Sequence, residues 1–273
     1  MYKHVLRRAS VPLLRLVALL VVGVIAAIAI GSDGPAQASH TRIFFTPQGR
    51  VNPEPIIAFV NDPLNPTQKV DVRVENVDNS NGLGSFEFTF NFNPNVATVT
   101  NVATVTPTGG PLFLGSTGRE VNCTSPTIDN VVGSVNVSCN TLTNTPNGPL
   151  GSGVLATITF QPATTPGLTT LALQPQPPKK THLTDITGDV PVPHTTLNGS
   201  LRVAKCGNFD LTNTAVTISD ILQLIQRFGT FGGPPPSANW HPRFDLNGDN
   251  RVDLSDLLIE VQQFGRNCTA TPP

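Results

Sequence analysis

The sequence predicts a mostly β protein: a jelly-roll β-sandwich of about nine strands, followed by a small α module of two loop–helix repeats. Three observations predict it. Between residues 41 and 203 apolar and polar side chains alternate with period two, the spacing of half-buried strands. Gly and Pro number 23 and 26 of 273 residues, while 13% are charged and 6% aromatic, a composition of short extended segments joined by turns. After residue 206 the period becomes helical, and one loop–helix pattern occurs twice. The formal charge of −1 offers no basic field for nucleic acid, and that class of partner is excluded.

Residues 1–38 read as an address. Lys3, Arg7, Arg8 and Arg15 lead into an uncharged apolar run from Leu16 to Ile30, and Ala36-Gln37-Ala38 makes a small-x-small cleavage site. Cleavage before Ser39 would release a secreted or cell-surface protein. The alternative is an uncleaved anchor, since the run falls a little short of the ~17–25 residues of a spanning helix. Without this segment the chain keeps 13 basic and 17 acidic groups and is mildly acidic. Export turns the four cysteines into a pairing problem. Their positions favour Cys123 with Cys139 and Cys206 with Cys268. Phase agrees for the first pair, because Val121 and Cys123 share one strand face, as do Val135, Val137 and Cys139.

The strands of the body (39–205) follow in order from Thr41. Val70, Val72 and Val74 alternate with Asp71, Arg73 and Glu75, which describes a strand with one wet face. Beyond the turn Asp78-Asn79-Ser80-Asn81-Gly82, Phe86, Phe88, Phe90 and Phe92 alternate with Glu87, Thr89 and Asn91. Four Phe on one face are core, because a soluble monomer does not leave so much apolar area in water. Further strands are expected at Val96–Val105, Glu120–Cys123, Val131–Cys139, Val154–Gln161, Leu168–Leu173 and Leu197–Val203, with Gly, Pro, Asn and Thr turns between them. Short strands without an intervening helix close into two packed sheets.

Two stretches of this body resemble the cohesin family of secreted β-sandwich modules that receive dockerins. One runs from Val70-Asp71-Val72-Arg73-Val74 through Asn81-Gly82-Leu83-Gly84 into Phe86-Glu87-Phe88-Thr89-Phe90 and Asn93-Pro94; the other is Gly151 to Phe160. The Cys123–Cys139 pair and the Pro-rich insert at 174–180 depart from that family. A sugar-binding platform usually needs exposed Trp or Tyr. The chain after residue 38 has no Tyr, and Trp240 lies outside the body. Carboxylates at Glu54, Glu87, Glu120, Asp185 and Asp189 show no spacing of an acid–base pair, and His182 and His194 flank a Pro-rich loop as surface residues. No catalytic residue is assigned.

The duplication lies in residues 206–268. Phe209-Asp210-Leu211 recurs as Phe244-Asp245-Leu246, and Ile218-Ser219-Asp220-Ile221-Leu222 as Leu254-Ser255-Asp256-Leu257-Leu258. Both copies continue at helical spacing and stop at Gly229 and Gly265, residues that accept a left-handed cap. Ile221, Leu222, Ile225 and Phe228 are expected to pack against Leu257, Leu258, Val261 and Phe264. In the second loop oxygen-bearing side chains stand at Asp245, Asn247, Asp249, Asp253 and Asp256, the carbonyl of Arg251 is available, and Val252 points inward. That crowd of carboxylate, amide and carbonyl oxygens suits Ca²⁺. Asn250 replaces the usual turn Gly, as a residue that enters the left-handed region readily. The first loop is one residue shorter and keeps Asp210 and Asp220, with Thr212, Thr214 and Thr217 in place of other ligands, so it makes a weaker site.

Paired repeats of this kind resemble the dockerin family in its type I-like form. The resemblance implies a calcium-folded plug that docks on a cohesin in extracellular polysaccharide-degrading assemblies, recognising its partner through Ile218-Ser219 and Leu254-Ser255. The Cys206–Cys268 bridge would clamp the ends of such a module. The first functional reading is a secreted, calcium-binding, non-catalytic interaction protein whose partners carry cohesins or dockerins, with self-association as one form of assembly. The second is a polysaccharide-binding or polysaccharide-active protein anchored by the module. The third is a surface protein in which the module is a calcium brace on its own sandwich.

Overall fold

The computed structural model describes residues 40–105, 112–142, 145–175, 181–209 and 215–269. The expected signal segment lies outside these residues, as do most of the Pro-rich insert and the candidate ligands Asp210, Thr212 and Thr214. Among the described residues no helix is long and apolar enough to cross a membrane.

Strands form in the order β1 (Thr41–Pro47), β2 (Ile56–Phe59), β3 (Gln68–Val77), β4 (Leu83–Asn91), β5 (Ala97–Ala103), β6 (Val121–Cys123), β7 (Thr127–Asp129), β8 (Ser134–Thr141), β9 (Gly151–Pro162), β10 (Gly167–Leu173), β11 (His182–Asp185), β12 (His194–Thr196) and β13 (Gly199–Ala204). A five-stranded sheet runs β12-β1-β3-β9-β5, and an eight-stranded sheet runs β2-β13-β10-β4-β8-β6 with β11 on β4 and β7 on β8. β12 pairs with β1 and β2 with β13 in parallel; the other pairings are antiparallel.

The sheets close on one apolar core, because alternation sends every second side chain inward. Val70, Val72, Val74, Ile158 and Phe160 come from one sheet; Phe86, Phe88, Phe90, Val135, Val137, Leu171 and Leu201 come from the other. The expected Phe face of β4 is therefore core, and its rings cross the gap: Phe90 lies 5.3 Å from Phe45 and 6.3 Å from Phe160, centroid to centroid. The face of β3 expected to be wet is partly covered. Asp71 is buried and accepts hydrogen bonds from the Gly49 N–H and the Thr157 hydroxyl, while Glu75 pairs with Arg42 at 2.7 Å.

The count of about nine strands is corrected to thirteen among the described residues. Three of the additional ones, β7, β11 and β12, are three or four residues long and are held by main-chain pairing that no apolar period announces. β2 is buried along its whole length and so does not alternate. His182 and His194, expected on the surface, each open a short strand and are half-buried. The strand expected from Val131 starts instead at Ser134: Asp129 Oδ1 accepts the N–H groups of Val131 and Val132, and Gly133 turns the chain at φ 77°. Cys123 lies opposite Cys139 in the β6–β8 ladder, and this pair and Cys206–Cys268 are both bonded, as expected.

Two helices follow, α1 (Ile218–Ile225) and α2 (Leu254–Gln263). Each opens on a capping box, Thr217 with Asp220 and Asp253 with Asp256, which satisfies N–H groups that the first turn leaves open. The segment after each helix pairs with the loop of the other repeat. Phe231 bridges Arg251 and Asn267 bridges Ala215, and the N–H groups of Gly229 and Gly265 donate to Val252 and Val216, both at 2.8 Å.

The helix-on-helix packing expected from the repeat is corrected. The module core is Phe209, Leu224, Phe244, Leu246, Val252 and Ile259, with Ala204 from β13. Phe209 and Phe244 meet at 4.6 Å in its centre. These two rings and Leu246 from the loop entries fill the space that the helices were expected to share. Leu222, Phe228, Leu258, Val261 and Phe264 are consequently left exposed.

Candidate functional site

The second loop folds around the two carboxylates that bracket it. Asp245 Oδ1 accepts the N–H groups of Gly248 and Asp249 at 2.7 and 3.1 Å, and its Oδ2 accepts that of Asn250 at 3.0 Å. Asp256 Oδ1 accepts from Leu246 and Asn247, and Oδ2 from Asp253. Asn250 has φ 66° and Val252 is wholly buried, as the sequence leads one to expect. Asn247 Oδ1 accepts the Asp249 N–H, Asp249 Oδ1 accepts the Arg251 N–H, and Asp253 Oδ1 accepts the Ser255 N–H.

Asp245 and Asp256 are both buried, and neither is in an ion pair among the described residues. Burial pushes the Asp256 carboxyl above the usual carboxylate range; its three N–H donors oppose this and the Asp245 charge adds to it. Among the described residues no three His, Cys, Asp or Glu side chains converge closely enough to hold a metal by themselves. The donor set of this loop is broader than carboxylates, since it includes the Asn247 amide and the Arg251 carbonyl, and its chemistry fits a hard cation.

In the first repeat, Asp220 Oδ1 accepts the Phe209 N–H at 2.7 Å, and its Oδ2 accepts both the N–H and the hydroxyl of Thr217 at 2.8 Å. Thr217 thus caps α1 as Asp253 caps α2.

Ile218 and Leu254, each the first residue of its helix, are 54% and 59% exposed, and Ser219 and Ser255 beside them are exposed as well. Leu222 and Leu258, one turn further along, continue the two apolar stripes. The repeat therefore sets matching apolar pairs on the surface, Ile218 with Leu222 and Leu254 with Leu258.

The opposite side of the module is sealed onto the sandwich. Ile57 and Phe59 of β2 bury against Cys206, Val216 and Cys268. Asp62 Oδ1 accepts the N–H and hydroxyl of Thr269 at 3.1 and 2.8 Å, and Asn65 Nδ2 donates to the Asn267 carbonyl at 2.8 Å. Gln263 Nε2 donates to the Lys205 carbonyl, and the Lys205 N–H donates to Leu246. Trp240 packs on the module core, half-buried. Within the sandwich, a cavity of about 320 Å³ beside the Cys123–Cys139 bridge is lined by Phe86, Leu114, Leu155 and the buried Arg119.

One buried acid escaped the sequence reading. Glu260 is wholly buried in α2, and a signal for it was present: at the repeat offset it stands where the first copy has Leu224, itself wholly buried.

No family model matches the chain, and no curated protein matches it. Among solved structures it is similar to a non-cellulosomal cohesin from the archaeon Archaeoglobus fulgidus, at 21% identity and a TM-score of 0.40 over 60% of this chain and 91% of that one. It is likewise similar to the seventh ScaB type I cohesin of Pseudobacteroides cellulosolvens, at 16% identity and 0.44 over 61% and 94%. A third similar structure is CaCohA2 of Clostridium acetobutylicum, at 18% and 0.41 over 61% and 92%. A likeness this low in identity and TM-score confers neither family nor partner on the chain.

Proposed function

We propose that this is a secreted, non-catalytic interaction protein whose C-terminal module is ordered by Ca²⁺ and docks by its helical face onto a cohesin-bearing partner in an extracellular or cell-surface assembly. The observation that carries the reading is the repeated, exposed apolar pair at the start of each helix, Ile218 with Leu222 and Leu254 with Leu258. A small module that leaves matching apolar stripes in water on both repeats has a face suited to a partner. The cation would be held by Asp245, Asn247, Asp249, Asp253, Asp256 and the Arg251 carbonyl, and would supply the positive charge that two buried carboxylates lack.

The test is capture of cohesin-bearing proteins by the full chain in calcium and in chelator. Leu222→Asp with Leu258→Asp should leave the melting temperature nearly unchanged, since both side chains are exposed, and should weaken capture at least tenfold. Capture unaffected by the substitutions, or equal in chelator, overturns the docking reading. A chain that stays monomeric in both conditions and takes no partner from culture supernatant sinks the assembly idea altogether.

The sealed junction favours a further role for the same ion, as a brace. Because Ile57 and Phe59 share a cluster with Cys206, Val216 and Cys268, loss of calcium should loosen β2 and β13 together with the module. Hydrogen exchange with and without chelator reads this directly; unchanged protection of β2 and β13 would separate the two.

A further inference from the structure

Glu260 is a carboxylate in a leucine's place. The equivalent residue of the first repeat, Leu224, is wholly buried in the module core, and Glu260 is wholly buried too. Neither Oε1 nor Oε2 has a hydrogen-bond partner. A carboxylate removed from water without a donor or a cation costs several kcal/mol, so an uncompensated Glu at such a position is strongly disfavoured.

The surroundings indicate what is missing. The carboxylate lies against the backbone of Gly207, where even a Cβ would collide with Oε2, so the chain approaches the acid as closely as only glycine allows. The neighbouring Gln263 does not donate to it: its amide is used in bridging the Gly207 N–H and the Lys205 carbonyl. The charged neighbour that Glu260 feels is Asp220 of α1, another wholly buried carboxylate. Burial first, and then the Asp220 charge, push the Glu260 carboxyl up to about 9. Both influences on Glu260 disfavour its charged form, and neither of its oxygens has a donor to offset them.

We infer that Glu260 and Asp220 form an interhelical cation site, in which α2 of one repeat supplies a carboxylate across to the start of α1 in the other. The ligand class is a divalent cation that prefers oxygen, and Ca²⁺ is the member that the second loop would also select, so the identity of the ion, though not the existence of the site, rests on the calcium reading of the module. The Glu260 carboxylate, set against Gly207, and the Asp220 carboxylate, which accepts the Phe209 N–H, supply oxygens of the kind that such an ion accepts.

Calcium titration of the chelator-treated full chain, by calorimetry, tests this. Two ions per chain are expected. Glu260→Gln, which keeps the shape and removes the charge, should eliminate one ion and leave the other's affinity within about threefold; Asp245→Ala should eliminate the other. Calcium should still raise the melting temperature of Asp245→Ala and should no longer raise that of Asp245→Ala with Glu260→Gln. If Glu260→Gln fails to give the far-ultraviolet circular dichroism of the parent, Asp220→Asn takes its place with the same expected loss. A parent that binds one ion, removed by Asp245→Ala alone, overturns the interhelical site and leaves the loop reading standing. A Glu260→Gln protein that binds as the parent does and melts at the same or a higher temperature likewise overturns it, and identifies Glu260 as a buried neutral acid. Loss of an ion in Glu260→Gln but not in Asp245→Ala supports the interhelical site and refutes the loop.

Discussion

Phe90 lies where the two sheets meet, 5.3 Å from Phe45, 6.1 Å from Phe92 and 6.3 Å from Phe160. Its role could be read from the sequence, because four alternating Phe cannot all face water. Phe90→Ala should cost about 3–5 kcal/mol in denaturant unfolding, whereas Val131→Ala, in an exposed turn, should fall within about 0.5 kcal/mol of the parent. Asp62 could not be read in this way, since Thr269, the partner it holds across the junction, lies more than 200 residues away. Burial acts to raise its carboxyl, but donors from Asn65, Thr269 and Leu64 outweigh that and hold it below the usual carboxylate range. The folded pKa is then lower than the unfolded one, so the stability it contributes is complete above the ordinary aspartate value and is lost as pH falls through the folded pKa. Asp62→Asn should lower the melting temperature at neutral pH, and the gap from the parent should narrow as pH drops below about 4. A gap that stays constant across that range would show that the clamp does not depend on the charge.

At the scale of elements, the strands with a clean period two, β3, β4 and β10, are legible because one face is core and the other is not. The elements that period did not reveal, β2, β7, β11 and β12, are either buried throughout or held by main-chain bonds alone. The helices are legible from their repeated 3.6-residue spacing, although α1 ends at Ile225, short of Gly229. Thr217 is the N-cap of α1, and Thr217→Ala should cost about 1 kcal/mol, measured as the change in chemical unfolding of the module followed by Trp240 emission. The side of each helix that is buried was misread. Helical spacing marks an apolar stripe, but it does not tell whether a neighbouring helix, a loop ring such as Phe244, or a partner covers it. Leu224 and Leu222 differ by two positions and by complete against half burial.

At the scale of the whole molecule, Cys206–Cys268 ties the ends of the module together across a separation of 62 residues, and both cysteines also pack on Ile57 and Phe59 of the sandwich. Chain entropy assigns about 4 kcal/mol to a loop of that size, against about 3 kcal/mol for the 16-residue separation of Cys123 and Cys139. Replacing Cys206 and Cys268 by Ser should therefore lower denaturant stability more than replacing Cys123 and Cys139. It should also loosen β2, seen as faster amide exchange at Ile57 and Phe59. Equal losses from the two double variants, with β2 unaffected, would show that the module is not braced against the sandwich.

The sequence by itself determined the kinds of element, the composition of the sandwich core, the cysteine partners and the oxygen-rich second loop. All of these are governed by pattern along the chain: period two, period 3.6, the twelve places of one loop, and the strand phase that pairs Cys123 with Cys139 and leaves Cys206 to Cys268. Only the tertiary structure decided what lies opposite what. It clustered loop aromatics with Leu224 and Ile259 of the helices and left two apolar stripes exposed, joined Asp62 to Thr269 across the length of the chain, and set Glu260 within the field of Asp220. Burial and Coulomb interaction act through distance in space, and no local pattern records that distance.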